Sequence, residues 1–151
     1  MIAIAEITRP ANTTQYAIGD VINGNGVTIP IVMTHDTFNA KPFVLQTHII
    51  GSSASGTPSI DLYFFSSTFT IASDNAAFNP SYVDLRTCLG KVSHTSWTAF
   101  GSCKVSHAAP VAPIQLNPAA ENSGNIYIVA VAAAADTPNS AEKFTIKIDV
   151  D

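Results

Sequence analysis

Phe144-Thr145-Ile146-Lys147-Ile148-Asp149-Val150 alternates without a break: Phe144, Ile146, Ile148 and Val150 fall on one side, and Thr145, Lys147 and Asp149 on the other. Successive side chains leave a β-strand on opposite faces, so this stretch reads as a strand with one face in a core and one in water. Working back along the chain, Val27, Ile29, Ile31 and Met33 repeat the pattern around Pro30. Proline cannot donate to a strand ladder, which puts this segment at a sheet edge or a bulge. Three further runs are apolar on both sides: Phe43 to Ile50, Ile60 to Phe65 and Ile126 to Val131. A strand of that kind needs cover on both faces. The expectation is a second sheet on one face and a partner molecule on the other. Shorter strand candidates are Ile2 to Thr8, Phe69 to Ala72, Lys91 to Thr95, Cys103 to His107 and Ile114 to Leu116.

Between these runs lie Asn23-Gly24-Asn25-Gly26, Gly51 to Gly56, Ala119 to Gly124 and Asp136 to Ser140, all rich in residues that supply turn geometry or local side-chain bonds to the backbone. Many short strands at this spacing, with almost no helical periodicity, predict one all-β domain over residues 1–151. Its expected form is a two-sheet antiparallel jelly-roll sandwich. Another Greek-key or immunoglobulin-like sandwich is the runner-up, disfavoured because Cys88, Trp97 and Cys103 stand too close together for the immunoglobulin pattern. Residues 9–26 read as an extended N-terminal arm or loop. Lys91-Val92-Ser93-His94 echoes Lys104-Val105-Ser106-His107; the two copies are either a chance likeness or a hairpin turning near Ala99, with each Lys facing the other copy's His.

Only 12% of the 151 residues are charged, against 46% hydrophobic. Soluble domains average about 25% charged. The deficit fits either a surface covered by other molecules or a neutral coat of Ser, Thr and Asn. Seven Lys and Arg scattered singly, in a chain of net charge −4, lack the clustered basic stripe that nucleic-acid binding requires. The start, Met1-Ile2-Ala3-Ile4-Ala5-Glu6, has no signal-peptide character. No apolar run approaches membrane-spanning length, so neither nucleic acid nor membrane is expected as a partner.

Chemistry-bearing patterns are sparse. His35, His48, His94 and His107 never occur at ligand spacing, and Glu6, Glu121 and Glu142 are isolated, so no metal and no other cofactor is expected. His35-Asp36 reads as a strand-to-turn signal. The chain holds no Ser nucleophile elbow and no phosphate loop. Asp61, Asp74 and Asp84 are the carboxylates from which a hydrolytic pair would have to be drawn. Cys88 and Cys103 match no zinc spacing and read as two free thiols, with a disulfide as the alternative. The expectation is a protein that is not an enzyme. A glycan-binding module of a phage fibre or host-recognition protein is the rival reading, but it wants exposed Trp and Tyr, and Trp97 is the one tryptophan.

Three stretches in this order resemble a family of small tailed-bacteriophage virion proteins: Ile7 to Val21, Ile60 to Phe65 followed by Ile71 to Phe78, and Ser140 to Ile146. The region Cys88 to Pro118 matches it less clearly. That family consists of capsid decoration (cement) proteins of the jelly-roll type. The resemblance implies a structural virion protein, made in the host cytoplasm. It would bind the outside of the major capsid protein shell as a homo-oligomer, a dimer favoured. Arg9, Tyr16 and Asp20 on the N-terminal segment, together with Trp97, are the candidate partner contacts, since Arg, Tyr and Trp are enriched at interface hot spots.

Overall fold

A computed structural model describes residues 2–22, 29–32, 43–116 and 125–150. Its elements in chain order are β1 (Ile2–Thr8), β2 (Ile29–Val32), β3 (Phe43–Gly51), β4 (Ile60–Phe65), α1 (Tyr82–Leu85), β5 (Cys88–His94), β6 (Thr98–Phe100), β7 (Cys103–Ala108), β8 (Ile114–Gln115), β9 (Asn125–Ala132) and β10 (Lys143–Val150). The chain is all-β, with two antiparallel sheets arranged as a sandwich. One sheet runs β1-β10-β3-β7-β6, with β8 also on β3, and the other runs β2-β9-β4-β5. The turns at Asn23 to Gly26 and Ala119 to Gly124, the His35-Asp36 pair, and Val27 and Met33 lie outside the described residues.

The alternation decides which side chains go in. In β10, Phe144, Ile146, Ile148 and Val150 are buried while Thr145, Lys147 and Asp149 are half-buried. Ala3, Ala5 and Ile7 of β1 join them from the neighbouring strand. From the second sheet Leu62 and Phe64 of β4, Val92 of β5, and Ile126, Ile128 and Ala130 of β9 complete the shared core. Pro30 sits on β2, at the end of its sheet's order, where a missing donor costs least.

The face of the second sheet that points away from this core is apolar too, and the chain covers it itself. Phe65, Val129 and Val131 pack with Val21, Phe69, Ile71 and Phe78 in a second cluster. Phe65 meets Phe69 edge-on at 4.8 Å between centroids. The segment 69–72, expected as a strand, is therefore part of a lid. The expected partner molecule on the second face of β4 and β9 is replaced by residues 66–78 of the same chain.

Two alternatives left open by the sequence are decided. The KVSH echo is not a hairpin: β5 pairs with β4 in one sheet and β7 with β6 and β3 in the other. Its two copies face each other across the interior instead. Of the arm and the loop expected for the N-terminal segment, its described part, residues 9–22, is a loop held against the body. Bridges Tyr16 to Asp136, Asp20 to Ala77 and Val21 to Val131 fasten it to the body. The helical turn α1 starts on a reciprocal cap between Ser81 and Asp84 and leaves Tyr82, Val83 and Leu85 exposed.

Candidate functional site

The C-terminal ends of β1 and β3 and the N-terminal ends of β7 and β10 meet at one end of the first sheet, where Thr8 pairs Lys143, Gly51 pairs Phe144, and Lys104 pairs Gly51. Burial there falls on ionisable residues: Arg9, Lys104 and Glu142 are each 3% exposed or less. Buried charges persist only when paired and hydrogen-bonded, and these are.

Arg9 Nε donates to the Tyr16 hydroxyl at 2.6 Å, Nη1 donates to the Asn139 carbonyl at 2.7 Å, and Nη2 stands 3.9 Å from Asp74 Oδ2. The Tyr16 hydroxyl in turn donates to Asp74 Oδ1 at 2.6 Å. Burial, and the bond it gives to Asp74, push the Tyr16 phenol well above its ordinary value. A cavity of about 10 Å³ beside Arg9, Tyr16, Asp136 and Pro138 leaves room for one water at most.

Next to it, Lys104 Nζ lies 2.9 Å from Glu142 Oε1 and donates to the Ser55 carbonyl at 2.8 Å. Asn139 Nδ2 donates to Glu142 Oε2 and to the same Ser55 carbonyl, both at 3.0 Å, while the Ser55 hydroxyl donates to Asn139 Oδ1 at 2.9 Å. Trp97 and Phe144 roof the ammonium, their ring centroids 5.3 and 5.8 Å from Nζ. Gly51 makes the arrangement possible. A Cβ there would stand 2.8 Å from Lys104 Cε and 2.9 Å from Glu142 Oε1.

Arg9 and Tyr16, expected at a partner contact, are both 2% exposed. Both side chains are turned into the fold, so they do not present a binding surface. Asp20 accepts from the Ala17 amide at 2.7 Å and shapes its own turn. Trp97 is half-buried against the core, its indole N–H donating to the Pro58 carbonyl. The hydrolytic candidates are dispersed: Asp61 pairs Lys91 at 2.7 Å, Asp74 serves Arg9 and Tyr16, and Asp84 caps α1. Among the described residues no three His, Cys, Asp or Glu converge as metal ligands. Cys88 and Cys103 are free thiols.

The histidines separate into two environments. His48 and His107 are register partners on the outer face of the first sheet, with centroids 4.5 Å apart, and His48 bonds Asp149 at 3.0 Å. Hydrogen bonds from Gln46 and His48 hold the Asp149 carboxyl below the usual range. His94 is fully buried and bridges the sheets, 2.7 Å from Thr47 Oγ1 and 3.0 Å from Ser106 Oγ. Burial, reinforced by His48 and His107 and opposed by Asp61, pushes it down to about 4 from 6.5. The unfolded chain then binds a proton that the folded one refuses. Stability falls as pH drops from 6.5 towards 4, by about 3 kcal/mol across that window. Urea midpoints of the wild type at pH 7 and pH 4.5 should diverge, and the divergence should shrink in His94→Gln; an unchanged pH dependence in the variant refutes the assignment.

Comparison with protein-family models, with curated proteins and with solved structures finds no match to this chain.

Proposed function

We propose that this chain is a jelly-roll capsid decoration protein, a structural component that binds the outside of a major capsid protein shell as a homo-oligomer and stabilises it. The strand order supports the fold half of this reading. With the short β6 and β8 set aside, the strands in chain order give one sheet as first-eighth-third-sixth and the other as second-seventh-fourth-fifth, the order that two interlocked Greek keys generate.

The observation that carries the association half is β1. It ends the order of its sheet, and on its outer face Ile2 and Ile4 are 62% and 59% exposed. An edge strand with large apolar side chains outward, and neither Pro nor Lys to blunt it, invites pairing with another chain. A ligand that binds only the assembled shell would stabilise it by mass action, and many copies on a lattice would multiply a modest affinity. The glycan-module alternative draws no support from Trp97, whose ring is occupied by Phe144 and Lys104.

Light scattering should give a mass above one chain for the wild type and one chain for the Ile2→Lys, Ile4→Lys double variant. The wild type should co-sediment with assembled shells of the virus that encodes it and not with unassembled capsid protein. A monomer that ignores those shells would falsify this reading.

A further inference from the structure

We propose that Lys104 and Asn139 react with each other, forming an intramolecular isopeptide bond between Lys104 Nζ and Asn139 Cγ, with Glu142 as the proton carrier. Nothing in this inference depends on what the protein binds. Four observations lead to it. The amine is almost wholly buried, and among the described residues its charged neighbour is Glu142 at 2.9 Å. Glu142 Oε1 accepts no hydrogen bond of good geometry among the described residues, while Oε2 receives the Asn139 amide nitrogen at 3.0 Å. The carboxylate therefore touches both the attacking and the leaving nitrogen. Those two nitrogens also share the Ser55 carbonyl, at 2.8 and 3.0 Å, which holds the amide beside the amine. Finally, the Ser55 hydroxyl already donates to Asn139 Oδ1 at 2.9 Å, where negative charge would develop during attack.

A lysine is a nucleophile only as the free amine, and a carboxylate inside a poorly hydrated site is the group to take its proton. Glu142 Oε1 removes one proton from the Lys104 ammonium. The amine lone pair forms a bond to Cγ of Asn139 while the carbonyl π pair moves to Oδ1, towards the Ser55 hydroxyl. Re-forming the carbonyl breaks the Cγ–Nδ2 bond. Of the three ammonium protons, one stays on the new amide, one leaves with Nδ2 as ammonia, and one remains on Glu142. No oxidant or reductant is needed, and a buried ion pair becomes a neutral amide and a neutral acid, so no unpaired charge is stranded. Asn139 is half-buried, which gives ammonia a way out. Gly51 keeps the floor of the site clear, and the Trp97 and Phe144 rings shield the amine from water.

The bond would join β7 to the loop preceding β10. Intact-mass spectrometry of the folded full-length protein should read about 17 Da below the sequence mass, the loss of one ammonia. Proteolysis should release one branched peptide linking Lys104 to Asn139. Cyclisation of Asn139 onto its own backbone would lose the same mass, so Lys104→Arg decides between them. Arginine keeps a cation beside Glu142 but supplies no amine, and the full sequence mass should return. Glu142→Gln should likewise keep the full mass, and Asn139→Asp should lose about 18 Da, one water, instead. Wild-type protein that shows a β-rich circular dichroism spectrum and keeps its full sequence mass after prolonged incubation overturns the proposal, whatever the variants do. A mass loss that survives in Lys104→Arg overturns it equally.

Discussion

Phe65→Ala lowers the free energy of unfolding by about 3–5 kcal/mol, the range for removing a buried aromatic ring from a packed site, without altering the oligomeric state. Phe65 is fully buried although its side chain points away from the shared core. Its neighbours Phe69, Phe78, Ile71 and Val129 close around it from the same chain. A cavity there has no partner surface to refill it, and the lid over residues 66–78 loses its anchor. Urea titrations at two protein concentrations test this directly. If the loss depends on concentration, the face belongs to an interface and the self-covered arrangement is wrong. Phe100→Ala is the matched control: that ring is 62% exposed on β6, and its loss should stay within about 0.5 kcal/mol.

Arg9→Met should cost a similar amount, about 3–5 kcal/mol, for a different reason. The substitution keeps bulk and removes charge. It leaves Asp74, whose side chain is 7% exposed, as a carboxylate without its cation, and it deprives the Tyr16 oxygen and the Asn139 carbonyl of donors. It also removes a guanidinium stacked 4.7 Å from the Tyr16 ring centroid. Adding Asp74→Asn to Arg9→Met should recover part of the loss, because the stranded charge is gone. The double-mutant cycle reports the coupling. A loss below about 1 kcal/mol in the single variant would show that the ion pair is dispensable.

Period-two alternation made β10 legible in the sequence, because one buried face imposes its signature on every second residue. β4 and β9 were equally visible as strands, but their second face was misassigned. Composition records that a face must be covered and is silent on whether the cover is 5 or 50 residues away in the chain, or in another molecule. The polar cluster was illegible for the same reason. Lys104 and Glu142 are ordinary surface residues in any local window, and only the meeting of β3, β7 and β10 buries them together. Arg9 and Tyr16 were noticed for their residue types and placed outside, since a loop rich in Asn and Thr reads as solvated until its bridges to Asp136 and Val131 are seen. Sequence parity in β7 pointed the wrong way: Val105 is the apolar residue, yet Lys104 and Ser106 are the ones that turn in.

β10 lies between β1 and β3, so the two strands made early in synthesis have nothing to hold them side by side. While the ribosome is still short of residue 143, the nascent chain carries β1 as an orphan and β3 with one bare edge. Closing the ladder then spans most of the polypeptide, a slow step for loop-entropy reasons. During that wait the aliphatic stripe of residues 2–7 is available to any neighbouring nascent chain. Chaperones that mask extended hydrophobic segments should therefore raise the yield of this protein more than they raise that of a helical domain of equal length.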